Sequence, residues 1–194
     1  MKIRLALGLA ATLTLAACGS SSSSDSNTSA PVVENSASAA GFNDADVMFA
    51  QMMIPHHEQA IEMSDMALDP STQASKEVIA LATQIKAAQD PEIKQMKDLL
   101  AAWGQPLTAD SDVDHSTMMD GMLSMDDMEK LGSLKGPDFD YFWAQSMIAH
   151  HEGAIDMAEV VLADGSNVEA LALANAIVSA QATEIDILKT IPKP

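Results

Sequence analysis

The residues best suited to chemistry are two adjacent histidine pairs, His56-His57 and His150-His151, which hold four of the chain's five histidines. The first lies in Met53-Ile54-Pro55-His56-His57-Glu58-Gln59-Ala60-Ile61-Glu62-Met63. Nearly the same words return in Met147-Ile148-Ala149-His150-His151-Glu152-Gly153-Ala154-Ile155-Asp156-Met157, at an offset of 94. Between positions 50–63 and 144–157, ten of fourteen residues are identical. A fixed-offset repeat says that one structural unit occurs twice, so the histidines should act as a two-fold-related set. Neutral imidazole nitrogen and thioether sulfur suit copper and silver, and thioethers select the soft ions Cu(I) and Ag(I). The candidate metal ligands are therefore Met53, His56, His57, Met63, Met147, His150, His151 and Met157.

Positioning such a set requires helices. At about 100° per residue, Phe49, Met52, Met53, Ala60, Ile61, Met63, Ala67 and Leu68 share one apolar face, with His56 and His57 on either side of its centre. Glu58, Glu62 and Asp65 fall on the opposite face, as do Glu152, Asp156 and Glu159 in the second copy. The inward face thus offers nitrogen and sulfur and no carboxylate. Asn43-Asp44 caps a first helix running to Leu68, and Asp69-Pro70-Ser71 stops it. Ser71 or Thr72 caps a second helix that ends at Gly104, with a kink or break expected at Pro91. Pro137-Asp138 opens a third helix reaching about Ala163, and a fourth runs from about Val168 to Thr190. Glu77, Ala80-Leu81-Ala82, Ile85, Ala88-Gln89, Glu92-Ile93 and Lys97 in the second helix recur in the fourth at an offset of 92. The repeat unit is a helical hairpin. The expected fold is all-α, a four-helix bundle of two hairpins joined by a long Met- and Asp-rich connection.

That connection carries Asp110, Asp112, Asp114, His115, Asp120, Asp126 and Asp127 among methionines at 118, 119, 122, 125 and 128. It also contains a short helix. A calcium loop is excluded, because His115 stands where glycine is needed and Gly121 where a bidentate glutamate is needed. The three-residue spacing of Met119, Met122, Met125 and Met128 lines up thioethers as a soft-ion capture arm, and adds Met119 and Met122 to the candidate ligands.

With 47% hydrophobic residues the chain can bury a core, and only 4% are aromatic, which favours helices rich in Ala, Leu, Ile and Met. A net charge of -18 excludes nucleic acid and anionic membrane surfaces as electrostatic partners and attracts cations. Lys2 and Arg4 lead an apolar run from Leu5 to Ala17, which reads as a signal peptide over residues 1–17. Its end, Leu15-Ala16-Ala17-Cys18, resembles the bacterial lipobox, making Cys18 a lipidation site that anchors the mature protein to a membrane. Cys18 is the only cysteine, so no disulfide forms within the chain. Residues 18–41 are rich in Ser, Ala and Asn and read as a flexible tether, leaving 42–194 as the folded domain. The expected location is the bacterial cell envelope, on its extracytoplasmic side, at the cell surface or in the periplasm.

The words Met-Ile-x-His-His-Glu-x-Ala-Ile-x-Met followed by Ala-Gln-x-x-Glu-Ile resemble the bacterial domain-of-unknown-function family 305 (DUF305), over Asp44 to Ile191. The stretch Met118-Met119-Asp120-Gly121-Met122-Leu123-Ser124 and the pair Phe139-Asp140 share in the resemblance. It implies a ferritin-like four-helix bundle, often exported, in a family some of whose members bind copper or silver. Pro91, and Leu188 where the first copy has Met96, depart from the pattern. The resulting expectation is a copper- or silver-binding protein rather than an enzyme, serving buffering, delivery or resistance, with a metal donor or acceptor protein as partner. Two alternatives stand beside it: a dinuclear oxidase, which other ferritin-like bundles build from Glu-x-x-His motifs absent here, and a scaffold or signalling lipoprotein without metal. A structural role for the histidines would have Gln89 and Gln181 or backbone groups satisfy them, and the core methionines would then be apolar filling.

Overall fold

The computed structural model of the chain describes residues 41–109 and 120–194. The expectations for the signal peptide, Cys18 and the tether, for Asp110, Asp112, Asp114 and His115, and for Met118 and Met119 lie outside the described residues. Among the described residues there are five α-helices and no strand: α1 (Asp44–Leu68), α2 (Lys76–Trp103), α3 (Met125–Ser133), α4 (Gly136–Asp164) and α5 (Val168–Leu188).

The helix ends follow from capping chemistry. Asn43 opens α1 with a capping box, its side chain accepting from the Ala45 and Asp46 amides while the Asp46 carboxylate accepts from the Asn43 amide at 2.9 Å. The cap of α2 is Ser75 rather than Ser71 or Thr72. Pro70–Thr72 form a single 3-10 turn, and Gln73 then takes a left-handed conformation at φ 53°, so a helix cannot begin before Ser75. The break expected at Pro91 is also absent, since α2 is one helix of 28 residues. Pro91 and Ala87, whose carbonyl would have received the missing bond, are both on the exposed face, where loss of one bond is tolerated, while Gln89 and Ile93 on the other face are buried and the helix continues through the proline.

α1 packs on α2 and α4 packs on α5 as two hairpins, and α1 lies against α4 between them. Their shared apolar clusters show that α1 and α4 run in opposite directions. Phe49 and Met53 of α1 meet Met157 and Val161 of α4 in one cluster, whereas Met63 meets Phe139, Trp143 and Met147 in the other. Trp143, fully buried, donates its indole N–H to the Met63 carbonyl at 3.0 Å. The two-fold relation expected from the repeat is visible at both ends. Asp46 of the first copy accepts from the amides of Ser166 and Asn167 at the start of α5, and Asp140 of the second accepts from the amide of Ser75 at the start of α2. Each hairpin's first helix thus caps the other hairpin's second helix, where a carboxylate is favoured by the helix dipole.

Between the two apolar clusters lies a polar layer, formed by His56, His57, His150, His151, Gln89 and Gln181, none more than 2% exposed and none a member of either cluster.

Candidate functional site

Adjacent residues on a helix point about 100° apart, and this divergence builds the site. His56 turns toward α4 and meets His150, the ring centroids 3.7 Å apart and the planes tilted by 41°. His57 turns toward α2, where its Nε2–H donates to Glu92 Oε2 at 2.9 Å. On the other side His151 donates from Nε2 to Glu184 Oε2 at 2.7 Å. An ionised carboxylate only accepts, so it fixes the proton on Nε2 and leaves Nδ1 of each neutral ring as a bare lone pair. Carboxylates orient metal-ligating imidazoles in this way.

The lone pairs have no protein partner. Nδ1 of all four histidines, Nε2 of His150 and both amide atoms of Gln89 and of Gln181 are buried without a hydrogen bond. His56 Nε2 has one contact, the Asp120 carbonyl at 3.4 Å. An unsatisfied buried polar group costs about 1–3 kcal/mol, so a concentration of them in one layer asks for a ligand. Gln89 and Gln181 do not satisfy the histidines.

The electrostatics agree with neutral rings at His56 and His150. Burial, reinforced by the neighbouring His57, lowers the His56 pKa from 6.5 to about 3 against the opposing pull of the Asp120 carbonyl. Burial also drives His150 well below 6.5, followed in order by His56, His151 and His57. Both rings are therefore uncharged at neutral pH, the form in which imidazole coordinates.

Met53, Met63 and Met147 are fully buried and Met157 is 4% exposed, so all four thioethers stand in the apolar clusters flanking the layer. Among the described residues the outer methionines Met122, Met125 and Met128 form no common row. Met122 lines a cavity of about 330 Å³ with Phe142, Gln145, Ser146 and Ala149, Met125 is 89% exposed at the start of α3, and Met128 packs against the cluster of Met63 and Trp143. The three-residue spacing fails because Met122 precedes α3, whose cap is Ser124. Among the described residues no group of three or more His, Cys, Asp or Glu side chains is poised to hold a metal ion. The layer is a set of donors closed on itself.

Two features escaped the sequence reading. Glu58, Glu62, Asp65, Glu152, Asp156 and Glu159 do face solvent, but Glu92 and Glu184 bring carboxylates to the layer from α2 and α5. The repeated Ala-Gln-x-x-Glu-Ile words held that signal, since Gln and Glu three apart share a helix face. The second is a strap over the layer, Asp120–Leu123. Its Leu123 amide donates to Gln59 Oε1 at 2.8 Å and its Leu123 carbonyl accepts from Gln59 Nε2 at 3.0 Å.

The model of a domain of unknown function, DUF305, matches residues 46–191. This chain belongs to the DUF305 family. A DUF305 protein from Streptomyces coelicolor, assigned as secreted, is 32% identical, with 74% of this chain covering 88% of that one at a TM-score of 0.67. A DUF305 fragment from Deinococcus radiodurans is 31% identical, with 76% of this chain covering 94% of it and the same TM-score of 0.67. CopM in its Cu(I)-bound form is 32% identical, with 74% of this chain covering 92% of it at a TM-score of 0.61. CopM has also been crystallised with Cu(II) and with silver. No curated protein matches this DUF305 chain.

Proposed function

We propose that this DUF305 protein binds soft metal ions, Cu(I) or Ag(I) foremost, outside the cytoplasm, through the buried histidine pairs and the methionines around them. The observation that carries the reading is the set of buried imidazole nitrogens without partners, two of them on rings already oriented by Glu92 and Glu184. The CopM structures support the choice of ion. The donors are His56, His57, His150 and His151, with Met53, Met63, Met147 and Met157 in the first reserve of sulfur and Met119 and Met122 on the outer approach. Metal would be buffered, delivered or withheld rather than used for catalysis. The four long helices form a ferritin-like four-helix bundle, carried on a tether of residues 18–41 from a lipidated Cys18 after removal of residues 1–17. Mass spectrometry of the mature protein checks the anchor, and an unmodified Cys18 removes it.

The deciding experiment is anaerobic competition for Cu(I), beside Cu(II), Zn(II) and Fe(II). Tight binding of Cu(I), abolished by replacing the four histidines, is the expected result. A second reading, the dinuclear oxidase, gains from Glu92 and Glu184, because carboxylates do reach the layer. Tight Fe(II) binding with oxygen consumption would establish it. No binding of any metal would leave a scaffold lipoprotein.

A further inference from the structure

All four histidines are fully buried, so a cation reaches them only if part of the protein moves aside. The apolar clusters close the layer on both sides along the long helices, and the strap lies across it, held by hydrogen bonds to one α1 side chain rather than by helix packing. Among the described residues the Gln59 amide makes the two short hydrogen bonds to the strap, both to Leu123, beside the longer contact of the Asp120 carbonyl with His56 Nε2 at 3.4 Å and the packing of Leu123 on the cluster of Met63 and Trp143. On the α4 side the strap only rests in a groove. A Cβ at Gly153 would stand 1.8 Å from the Asp120 carbonyl oxygen, and one at Gly121 would stand 2.2 Å from the Ala149 carbonyl oxygen. Gly121 also takes φ 85°, a conformation that favours glycine.

The repeat itself records the strap. Between positions 50–63 and 144–157 the four differences are Met52 to Ser146, Pro55 to Ala149, Gln59 to Gly153 and Glu62 to Asp156. The first three lie three and four residues apart, on one stripe of each helix. On α4 that stripe touches the strap or the cavity beside it: Ser146 and Ala149 line the cavity, and Gly153 receives Asp120. On α1 the matching stripe supplies the Gln59 clamp. Symmetry is thus kept where the histidines need it and broken where the strap crosses. Gly121, Met122, Leu123 and Asp127 line the cavity, which is open to solvent, while the Asp120 carbonyl contacts His56 Nε2.

We propose that the strap Asp120–Leu123 is the gate through which a soft cation passes from the Met122 cavity to the histidine layer, and that Gln59 is its latch. This rests on the metal-binding reading above. A latch of two hydrogen bonds is strong enough to keep the strap closed in most molecules and weak enough to open locally without unfolding the helices. It sets rates, and Gln59 itself is not a ligand.

The test compares the full-length parent with Gln59→Leu, which removes both bonds, and Gln59→Glu, which retains only the acceptor for the Leu123 amide. Circular dichroism shows that each variant is folded. Exchange of the Leu123 amide hydrogen, measured without metal, should accelerate about tenfold in Gln59→Leu and less in Gln59→Glu. Stopped-flow transfer of Cu(I) from a coloured chelator, and its removal by excess chelator, should accelerate in the same order while the equilibrium affinity stays within about threefold. Gly153→Ala, which pushes on Asp120 from the α4 side, should behave like Gln59→Leu. Faster exchange with unchanged Cu(I) transfer overturns the gate, and unchanged exchange overturns the latch. A parent that takes up neither Cu(I) nor Ag(I) overturns the metal reading and the gate together, which sets that outcome apart from a binding parent whose variants load no faster.

Discussion

The imidazole ring centroids of His56 and His150 stand 3.7 Å apart in the buried layer, and neither nitrogen of His150 has a hydrogen-bond partner of good geometry, the His56 backbone giving it only a weak hold. Two rings so placed are costly to the metal-free fold, because each gave up water on burial and His150 gained only that weak hold in return. Function and stability should therefore trade against one another here. Replacing His150 by Leu removes two unsatisfied atoms at modest change of volume, so the metal-free variant should be more stable by about 1 kcal/mol, or roughly 2–4 °C in Tm. Its Cu(I) affinity should fall. A melting point several degrees below the parent would mean that His150 is a structural side chain.

Acid should destabilise the metal-free protein in a definite window. The folded-state pKa of His56 is lowered from 6.5 to about 3, so between these values the unfolded chain binds the proton that the folded one refuses. Stability is then fully present above pH 6.5 and is lost progressively as pH falls toward 3, by up to a few kcal/mol. His150 shifts in the same direction and adds to the slope. Urea denaturation at pH 7, 5.5 and 4 measures it, and the His56→Leu, His150→Leu double variant should show a flatter profile. A parent profile as flat as that of the double variant would deny the burial of neutral imidazole. The same shift corrects a simpler expectation from free imidazole, because proton competition with metal at these two rings sets in below pH 6.5 rather than at it.

Glu92 and Glu184 should matter equally, since the two-fold relation gives each one histidine to orient. Glu92→Gln keeps an acceptor for the His57 Nε2–H but removes the charge, and Glu184→Gln does the same for His151. Each should lower metal affinity by about 10- to 100-fold, the usual cost of losing a carboxylate behind a ligating imidazole. Chelator competition on both variants checks this. An effect at one residue and none at the other would show that only one histidine pair takes metal.

How much of this was legible beforehand follows from what each feature depends on. The α1 boundaries were readable because Asn43 and the Asp69-Pro70 pair act locally, and the hairpin repeat because the words in α2 and α5 recur at a constant offset. The convergence of His56 on His150 required the direction in which α1 and α4 cross, which the apolar pattern alone does not set. Glu92 was read only as part of the α2 and α5 repeat, because its role is decided by His57, 35 residues away. Pro91 misled for a related reason. Proline breaks an isolated helix, but here Pro91 and Ala87 lie on the exposed face and α2 continues through them. Gln59 and Gly153 were visible as mismatches in the repeat, yet only the strap lying across them gives the mismatch a meaning.

The last prediction separates outer from inner donors. Thioethers do not titrate, so a site made of methionine holds a soft cation at any ordinary pH, while imidazole must stay unprotonated to coordinate. Met125 is 89% exposed and Met122 and Met128 are only partly buried, so replacing them with Leu, together with Met119, keeps apolar bulk and removes sulfur while all four layer histidines are retained. The fourfold variant should melt within about 2 °C of the parent, as surface changes do. At pH 3, within the range where His56 takes up its proton, the parent should still retain Ag(I) on its thioethers, and the variant should lose most of what remains. At pH 7 both should bind, because His56 and His150 are neutral and supply the stronger ligands. Equilibrium dialysis against Ag(I) at the two pH values reads the difference directly. If the leucine variant holds Ag(I) in acid as the parent does, the acid-resistant sulfur belongs to Met53, Met63, Met147 and Met157 inside the protein, and the outer methionines are an apolar cover for the strap and α3.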